Sequence, residues 1–338
     1  MGADCGIQIP TMPYPTVSLM PASVAVVIPC YRVKNHILDV VSRIGAEVNR
    51  VFVIDDACPE GSGRLVQAQC TDPRVTVLYL AVNQGVGAAV MTGYTAALKE
   101  GADVIVKVDG DGQMDPALIP HFIAPILKGQ ADYTKGNRFY DLTHIGQMPA
   151  IRLFGNAALS FMAKLSTGYW NLFDTTNGYT AIHAKAARRI AFDKVSPRYF
   201  FETDLLFRLN TIRAVVVDIA MDASYGSEKS SLRIGKVWGE FLVKHLRNFV
   251  KRVGYNYFLR DMTVASLELA LGLCAVLFGV VFGGYHWIQG ISTGVAAPLG
   301  TIMLAALPTM LGLQLLLAFV AFDVANVPRR PIHVDLAD

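Results

Sequence analysis

Two carboxylates separated by a single glycine are the part of the chain best suited to chemistry. The run Asp109-Gly110-Asp111-Gly112-Gln113 follows directly on the apolar stretch 104–108, which predicts a buried strand that the glycines end. Like charges this close raise each other's pKa unless a cation lies between them, and Mg²⁺ prefers one or two carboxylates together with substrate phosphates. The run therefore predicts a metal–phosphate site. The simpler alternative is an acidic turn, since Asp and Gly are favoured in turns anywhere.

The elements that must position these acids alternate between strand and helix. Predicted strands cover 24–28, 51–54, 75–80 and 104–108, and predicted helices cover about 35–49, 64–70 and 85–99. The alternation predicts an α/β domain with a Rossmann-like, mostly parallel sheet and helices on both faces. Ligands of such sheets bind beyond the carboxyl ends of the strands. We therefore expect one edge of the sheet to carry Asp55, Asp56, Asp109, Asp111 and the turn at Gly85.

The glycine turn at 85–90 has a second interpretation. It follows a strand, opens a helix and precedes an acid, as a dinucleotide-binding fingerprint does. Its third small position is occupied by Val90, however, and the acid belongs to a two-carboxylate run. The pattern therefore favours the metal–phosphate site over a nicotinamide or flavin enzyme.

The composition differs from that of an ordinary soluble enzyme. Of the 338 residues, 53% are hydrophobic and 17% are charged, and the mean hydropathy of +0.38 indicates that part of the chain lies in lipid. Five cysteines without a CxxC spacing argue against a disulfide framework and against a zinc site. The net charge of +3 does not indicate nucleic-acid binding, and we expect no nucleic-acid partner.

The last third of the chain predicts membrane association. A helix over 236–252 places Trp238, Phe241, Leu242, Leu246, Phe249 and Val250 on one face, with Glu240, Lys244, Arg247, Asn248 and Lys251 opposite. A basic amphipathic helix of this kind is typical of an anionic bilayer surface, although a soluble packing helix has the same periodicity. Residues 262–284 and 295–322 are each apolar and long enough to span a bilayer.

Charge placement predicts the topology of these spans. Basic residues precede the first span and follow the second, and none lies within 261–328. The positive-inside rule therefore predicts two spans with both termini in the cytosol and a short external loop near Tyr285, His286 and Trp287. We expect a flexible leader over 1–22, a catalytic domain over 23–235, a juxtamembrane helix over 236–260, two transmembrane helices within 261–328 and a cytosolic tail over 329–338.

Taken in order, the motifs resemble family 2 inverting glycosyltransferases of the GT-A fold. The matching blocks begin at Val27, Val53, Asn83, Asp109, Lys135, Arg152, Asp174 and Phe201. The resemblance is closest to dolichyl-phosphate mannose synthases and bacterial polyprenyl-phosphate glycosyltransferases, and it covers about residues 24–235. It implies a nucleotide-sugar donor, Mg²⁺ or Mn²⁺, and a phosphate or hydroxyl acceptor.

The resemblance also implies a role for each donor-site residue. Pro29 and Tyr31 would shape the base pocket, Asp56 would hold the base, and Gly85 would belong to the donor-binding turn. Asp55 is the alternative to Asp56, or else a structural acid that caps the following turn.

For the metal, the resemblance implies that Asp109 would face the ribose and the ion, Asp111 would be the direct ligand and Gln113 would lie beside it. Lys229 would contact the diphosphate, although Ser224 stands where many relatives carry an arginine.

On the acceptor side, Arg138 and Arg152 resemble the arginines that hold the acceptor phosphate. A guanidinium suits this role because its planar fork pairs bidentately with phosphate oxygens, whereas either arginine alone is equally a surface residue. Asp204, with Glu202 as second choice, occupies the place where the family usually has its general base, and acids at a helix start also stabilise the helix dipole. A phosphate acceptor is already anionic, in which case these acids would orient the sugar and the acceptor.

These features predict inverting sugar transfer from a UDP- or GDP-sugar to a polyprenyl phosphate on the cytosolic leaflet of an inner or plasma membrane. Processive polysaccharide synthases normally carry a Gln-x-x-Arg-Trp motif and more spans, which this sequence lacks. The alternatives are transfer to a hydroxyl of a membrane acceptor and a catalytically silent scaffold that binds nucleotide sugar. The expected partners are the donor, the lipid acceptor, the bilayer and a second copy joined through the membrane hairpin. The motifs do not distinguish one sugar or base from another.

Overall fold

The computed structural model describes residues 22–138, 150–221 and 234–336. The strands in these ranges are β1 (Val24–Cys30), β2 (Arg50–Asp55), β3 (Val75–Tyr79), β4 (Val104–Lys107), β5 (Tyr133–Asn137), β6 (Thr180–His183) and β7 (Val216–Ala220). The helices are α1 (Ile37–Ser42), α2 (Ser62–Gln69), α3 (Val86–Lys99), α4 (Ile119–Leu127), α5 (Ala150–Thr167), α6 (Ala184–Ala187), α7 (Phe201–Thr211), α8 (Ile234–Gly254), α9 (Val264–Thr293), α10 (Leu299–Ala325) and α11 (Ile332–Asp335). The expected leader lies outside the described residues, except for its last position.

The strands form one mixed sheet in the order β3-β2-β1-β4-β6-β5-β7. Strands β3, β2, β1 and β4 are mutually parallel, β6 runs antiparallel to both of its neighbours, and β5 is parallel to β7. The mostly parallel sheet predicted from the sequence is therefore confirmed. Its parallel half brings the carboxyl ends of β1, β2 and β4 to one edge, where the predicted acids lie.

A hydrophobic core lies on each face of the sheet because successive side chains of a strand point to opposite faces. Val27, Ile54 and Ile105 pack with Tyr94 of α3 and Leu205 of α7, and all five are nearly inaccessible to solvent. The opposite core joins the alternate strand residues to α1 and α4; its members include Val26, Ile28, Val53, Val106, Ile37 and Phe122. The three layers hold the strand ends rigidly, and the site is built on those ends.

Helix α1 is shorter than the sequence predicts. The pattern indicated a helix over about 35–49, whereas α1 covers Ile37–Ser42. The backbone N–H of Asn49 donates to the carbonyl of Val24, next to the start of β1. The chain therefore uses the residues after α1 to turn back towards the sheet, and β2 begins at Arg50.

Helices α9 and α10 form an antiparallel pair, and both are long and apolar enough to cross a membrane. Small residues bring the two backbones together: a Cβ on Gly312 would lie 2.8 Å from the carbonyl oxygen of Gly272, and one on Gly279 would collide with Thr309. Helix α9 continues to Thr293, so Tyr285, His286 and Trp287 lie within it. The predicted loop around these three residues is wrong, and the connection runs over 294–298 instead.

Helix α8 is amphipathic, and three of its polar side chains face the protein interior, whereas Arg247 and Lys251 are exposed. His245, Asn248 and Arg252 are buried, and they bond to Ser166 (2.8 Å), Asp204 (3.1 Å) and Asp323 (2.6 Å), respectively. The sequence placed Asn248 opposite the apolar face, and the structure buries it there, where its amide donates to the carboxylate of Asp204 on α7. Burial lowers the pKa of His245 to about 4, so the ring is neutral at physiological pH. The apolar residues Leu242, Val243, Leu246 and Val250 are between 51% and 66% exposed.

After α10 the chain returns to the sheet domain and ends there with α11. The fully buried carboxylate of Asp132 accepts the backbone N–H groups of Val215, Ile332 and His333 at 2.8–2.9 Å, and it contacts Nδ1 of His333 at 2.7 Å. Burial alone would raise the pKa of Asp132, but these hydrogen bonds hold it below the usual value. The expected tail is thus attached to the catalytic domain rather than free in solution.

Candidate active site

A cavity of about 430 Å³ lies at the carboxyl edge of the parallel strands. Residues from the ends of β1, β2 and β4, from the start of α3 and from the start of α7 line it. Seven of the predicted site residues meet there: Pro29, Tyr31, Asp56, Gly85, Asp109, Asp111 and Glu202. Positions far apart in sequence therefore form one site because the sheet brings its strand ends together.

The acid pair follows β4 in a tight turn that is held from within. The backbone N–H of Gln113 donates to Oδ1 of Asp111 at 3.0 Å, and the N–H of Asp109 contacts the sulfur of Met114 at 3.2 Å. Gly112 has a φ of +80°, a conformation that side chains with a Cβ rarely adopt. Both carboxylates therefore line the cavity on a backbone whose shape the sequence enforces.

The two acids after β2 have different structural settings. Asp55 is buried, and its carboxylate accepts the N–H groups of Cys58 (2.7 Å) and Gly63 (2.8 Å). It is therefore the structural acid that the sequence left open as an alternative. Asp56 lines the cavity, and its carboxylate accepts the N–H groups of Gln84 (2.7 Å) and Gly85 (2.8 Å). Asp56 thus joins the end of β2 to the turn that begins α3.

The glycine turn is packed against a loop before α7. Gly85 has a φ of +100°, and a Cβ there would lie 2.7 Å from the carbonyl oxygen of Pro197. A Cβ on Gly87 would collide with the carbonyl oxygen of Ser196, and the N–H of Ala88 donates to Pro197 at 3.1 Å. Glycine is therefore required for close packing of two backbones. The packing also places Arg198 and Tyr199 in the wall of the cavity.

Glu202 and Asp204 lie on opposite sides of the first turn of α7. Glu202 lines the cavity, and burial raises its pKa to about 7, although the charges of Lys107 and Lys135 oppose the rise. A carboxyl with such a pKa is suited to proton transfer near neutral pH. Asp204 lies outside the cavity lining, and its carboxylate accepts the N–H of Ser196 at 2.9 Å and the amide of Asn248 at 3.1 Å. The preference for Asp204 as the base is therefore not supported by the geometry, which favours Glu202.

We expect the conservative variants of these two acids to separate stability from activity. Asp204→Asn should lower the thermal midpoint, because each buried donor left without its acceptor costs about 1–3 kcal/mol, and should reduce kcat/KM less than tenfold. Glu202→Gln should reduce kcat/KM at least about a hundredfold, the lower range for an acid–base group, with a smaller change in the midpoint. Thermal unfolding and transfer kinetics of both purified variants check this. An Asp204→Asn protein with a wild-type midpoint and no activity would restore Asp204 as the base.

Arg138 is not among the residues that line the cavity. The guanidinium of Arg138 pairs with both carboxylate oxygens of Asp174, at 2.8 and 3.2 Å. Arg152 lies on α5, and nothing is described of its side chain; Lys229 lies outside the described residues. Gln113 is not among the residues that line the cavity, and its contact with Asp111 is made through its backbone.

Two cations and one aromatic side chain of the cavity were not predicted from the sequence. Lys107, Arg198 and Tyr199 all line it. Lys107 had a sequence signal, since it is the one charged residue in the apolar stretch 104–108. Arg198 and Tyr199 had none, because only the packing of their loop against the glycine turn brings them to the site.

The residues present fit a divalent ion. Within the described ranges, no group of three or more His, Cys, Asp and Glu side chains is arranged to hold a metal. Asp109 and Asp111 nevertheless line the same cavity, and two carboxylates are the number that Mg²⁺ uses when substrate phosphates supply further ligands. The donor set is therefore that of a metal held jointly by protein and substrate.

Comparisons with known proteins identify the family of the chain. The family described as "Glycosyl transferase family 2" matches residues 25–191. The undecaprenyl-phosphate mannosyltransferase of Micrococcus luteus is 30% identical over 58% of this chain and 81% of its own length. The polyprenol monophosphomannose synthase of Mycolicibacterium smegmatis is 28% identical over 54% of this chain and 70% of its own.

A solved structure shows the same fold. Glucosyl-3-phosphoglycerate synthase from Mycobacterium tuberculosis, in complex with Mn²⁺, UDP and glucosyl-3-phosphoglycerate, superimposes with a TM-score of 0.51. It is 17% identical and covers 69% of this chain and 80% of its own. The fold is that of a GT-A glycosyltransferase. The chain belongs to glycosyl transferase family 2.

Proposed function

We propose that this glycosyltransferase transfers a sugar, with inversion, from a UDP- or GDP-sugar to a polyprenyl phosphate at the cytosolic leaflet of a membrane. The proposal rests on two features of one fold, the acid-lined cavity and the two long apolar helices. The acid-lined cavity sits at the start of α7, and α7 packs on α8, whose far end leads into the two apolar helices. A lipid-linked acceptor would thus be presented close to the donor. The relatives named for polyprenyl or undecaprenyl phosphate support the same acceptor class.

The donor would occupy the cavity. Pro29 and Tyr31 lie at the end of β1 and would contact the base near Asp56, and Asp109 and Asp111 lie beyond β4, where the diphosphate would reach. Mg²⁺ or Mn²⁺ held by Asp109 and Asp111 would neutralise the charge that develops on the departing diphosphate. Gln113 and Lys229 stay predicted donor-site residues.

The acceptor oxygen would attack the anomeric carbon from the face opposite the diphosphate, and the bond from that carbon to the diphosphate oxygen would break. A phosphate acceptor is anionic at neutral pH and needs no base. Glu202 would then orient the sugar. Arg138 and Arg152 stay predicted residues of the acceptor-phosphate site, and the guanidinium of Arg138 is held by the carboxylate of Asp174.

The membrane arrangement is supported by exposure. The exposed apolar face of α8 continues into Leu259, Met262 and Val264, which are 70–80% exposed and lead into α9. Such a continuous surface is unfavourable in water and suits the interface of a bilayer. Lys244, Arg247 and Lys251 on α8 and Arg329 and Arg330 after α10 would place the catalytic domain and both termini in the cytosol. A homo-oligomer formed through the hairpin stays a prediction.

One observation favours a second acceptor class. Glu202 has a pKa of about 7 and faces the cavity, which suits a general base for a hydroxyl. In that case the acceptor would be a hydroxyl of a lipid-linked saccharide or of another membrane molecule.

A donor and acceptor screen tests the proposed function. Detergent-purified protein with Mg²⁺ or Mn²⁺ is given radiolabelled UDP- and GDP-sugars together with polyprenyl phosphate. We expect one donor to label the lipid phosphate and no label to reach the free polyprenol. Label on a hydroxyl-bearing lipid alone would favour the second acceptor, and donor binding without any transfer would favour a silent scaffold.

A further inference from the structure

Lys107 is a buried lysine whose side chain also lines the cavity. It is the last residue of β4, it is 1% exposed, and it shares the face of Ile105, towards α3 and α7. Its ammonium lies 2.7 Å from Oδ1 of Asp109 and 5.6 Å from the ring centre of Phe201. An ammonium carries three donors, and burying one is costly unless those donors are satisfied. Because Lys107 also lines the cavity, a bound ligand is the natural acceptor for its remaining N–H groups.

A second buried lysine provides a contrast. Lys135 of β5 is fully buried, and its ammonium donates to the carbonyl of Asn177. The sheet register places Thr180 of β6 opposite both Lys107 and Lys135. The charges of both lysines act on Glu202, but Lys135 is not among the residues that line the cavity. The two lysines share burial and charge surroundings and differ in access to a ligand.

The backbone of Gly178 packs closely against the Lys107 ammonium. A Cβ on Gly178 would collide with the Lys107 ammonium and would lie 3.0 Å from Oδ2 of Asp109. Because Gly178 has no Cβ, the Lys107 ammonium can lie beside the carboxylate of Asp109. Glu202 lines the same part of the cavity, so a donor group and an acceptor group are both available to a ligand there.

We propose that Lys107 contacts the transferred sugar, donating a hydrogen bond to one of its hydroxyl groups while Glu202 accepts from another. This inference rests on the proposed function, because it assigns the sugar end of the nucleotide-sugar site. The base would lie near Tyr31 and the diphosphate near Asp109 and Asp111, which leaves the ammonium beside Asp109 for the sugar ring. The expected substrate class is a hexose with free hydroxyls at the positions that face this pair.

The proposal is tested by comparing affinity for the nucleotide with affinity for the nucleotide sugar. Binding of UDP and GDP with Mn²⁺, and of UDP-glucose, UDP-N-acetylglucosamine and GDP-mannose, is measured by calorimetry for wild type, Lys107→Met and Lys135→Met. Losing one charged hydrogen bond should weaken binding of the cognate nucleotide sugar about ten- to a hundredfold in Lys107→Met. Binding of the nucleoside diphosphate should change less than about threefold, and Lys135→Met should alter neither affinity by more than that. Equal weakening of nucleotide and nucleotide sugar in Lys107→Met would overturn the proposal and assign the lysine to the diphosphate.

Deoxy donors keep the test decisive if a methionine variant fails to fold. Lys107→Gln retains an N–H donor, and the wild type can be compared with it using 2-, 3-, 4- and 6-deoxy forms of the cognate sugar. One deoxy position should weaken binding to wild type about tenfold or more while causing a clearly smaller loss in Lys107→Gln. Equal losses in both proteins at every position would refute the contact. Since binding is measured without acceptor, a failure here is distinct from a failure to transfer sugar to a lipid phosphate.

Discussion

Replacing Asp111 with alanine is expected to reduce sugar transfer at least about a thousandfold, because a metal bound at a leaving diphosphate supplies several kcal/mol of transition-state stabilisation. Asp111 is half-buried and lines the cavity at the end of the tightest turn in the site. The turn around it is shaped by Gly112, whose φ is +80°, and the Asp111 side chain adds a single hydrogen bond to it, from the N–H of Gln113. The loss should therefore appear in catalysis and in metal-dependent donor binding, with the fold retained.

Asp115 provides the matched control. It follows Asp111 by four residues, but its carboxylate is exposed and pairs with Arg43 at 2.5 Å instead of facing the cavity. Asp115→Ala should keep transfer within a few fold of wild type, because an exposed ion pair contributes about 0–1 kcal/mol. The measurement is the initial rate of labelled sugar transfer to polyprenyl phosphate at saturating Mg²⁺ or Mn²⁺. Turnover of Asp111→Ala at the wild-type rate, or full wild-type activity in excess EDTA, would remove the metal from the mechanism.

The sheet and one side of the site were predictable because they depend on local patterns. Apolar stretches that end in acids or glycines, such as 104–108 before Asp109, specify both a strand and the edge at which it ends. Topology then brings those ends together, so Pro29, Asp56 and Asp111 could be assigned to one cavity without a structure. These residues lie on rigid strand ends, where sequence spacing and spatial position are closely linked.

The roles of Asp204 and Asn248 were not predictable from the sequence, because these side chains act through distant partners. Asn248 and Asp204 each have the residue type of a surface or catalytic group, yet they bond to each other at 3.1 Å between α8 and α7. Periodicity separates polar from apolar faces, but it does not show which face meets water. On α8 three buried polar side chains are satisfied by hydrogen bonds, and four apolar side chains are exposed.

Another buried polar residue of α8, Arg252, leads to the strongest expected effect on stability. Arg252 of α8 is 1% exposed and forms two bonds to the carboxylate of Asp323 near the end of α10, at 2.6 and 2.9 Å. Its guanidinium also donates to the carbonyl of Leu165 on α5 at 2.9 Å. Trp170 (2.9 Å) and Tyr257 (2.5 Å) donate to the same carboxylate. This buried network joins the hairpin to the catalytic domain.

Arg252→Met should lower the thermal midpoint by roughly 4–7 °C, because removing one partner of a buried ion pair costs about 3–5 kcal/mol and each kcal/mol corresponds to about 1.4 °C in a chain of 338 residues. The loss arises from the charge left on Asp323. Combining Arg252→Met with Asp323→Asn should therefore recover more than half of the shift, a non-additivity expected for residues in contact. Arg330→Met is the control, since its pair with Asp335 is exposed and should be worth less than about 1 kcal/mol.

The measurement is thermal unfolding of the detergent-solubilised variants, followed by tryptophan fluorescence, together with proteolysis between the catalytic domain and the hairpin. Trp170 lies in the network and reports on it directly. If Arg252→Met shifts the midpoint no more than Arg330→Met, or if the double variant loses the sum of the single losses, the pair does not join the two parts. If the midpoint falls as expected and cleavage near 260 becomes faster, the ion pair joins the two apolar helices to the catalytic domain.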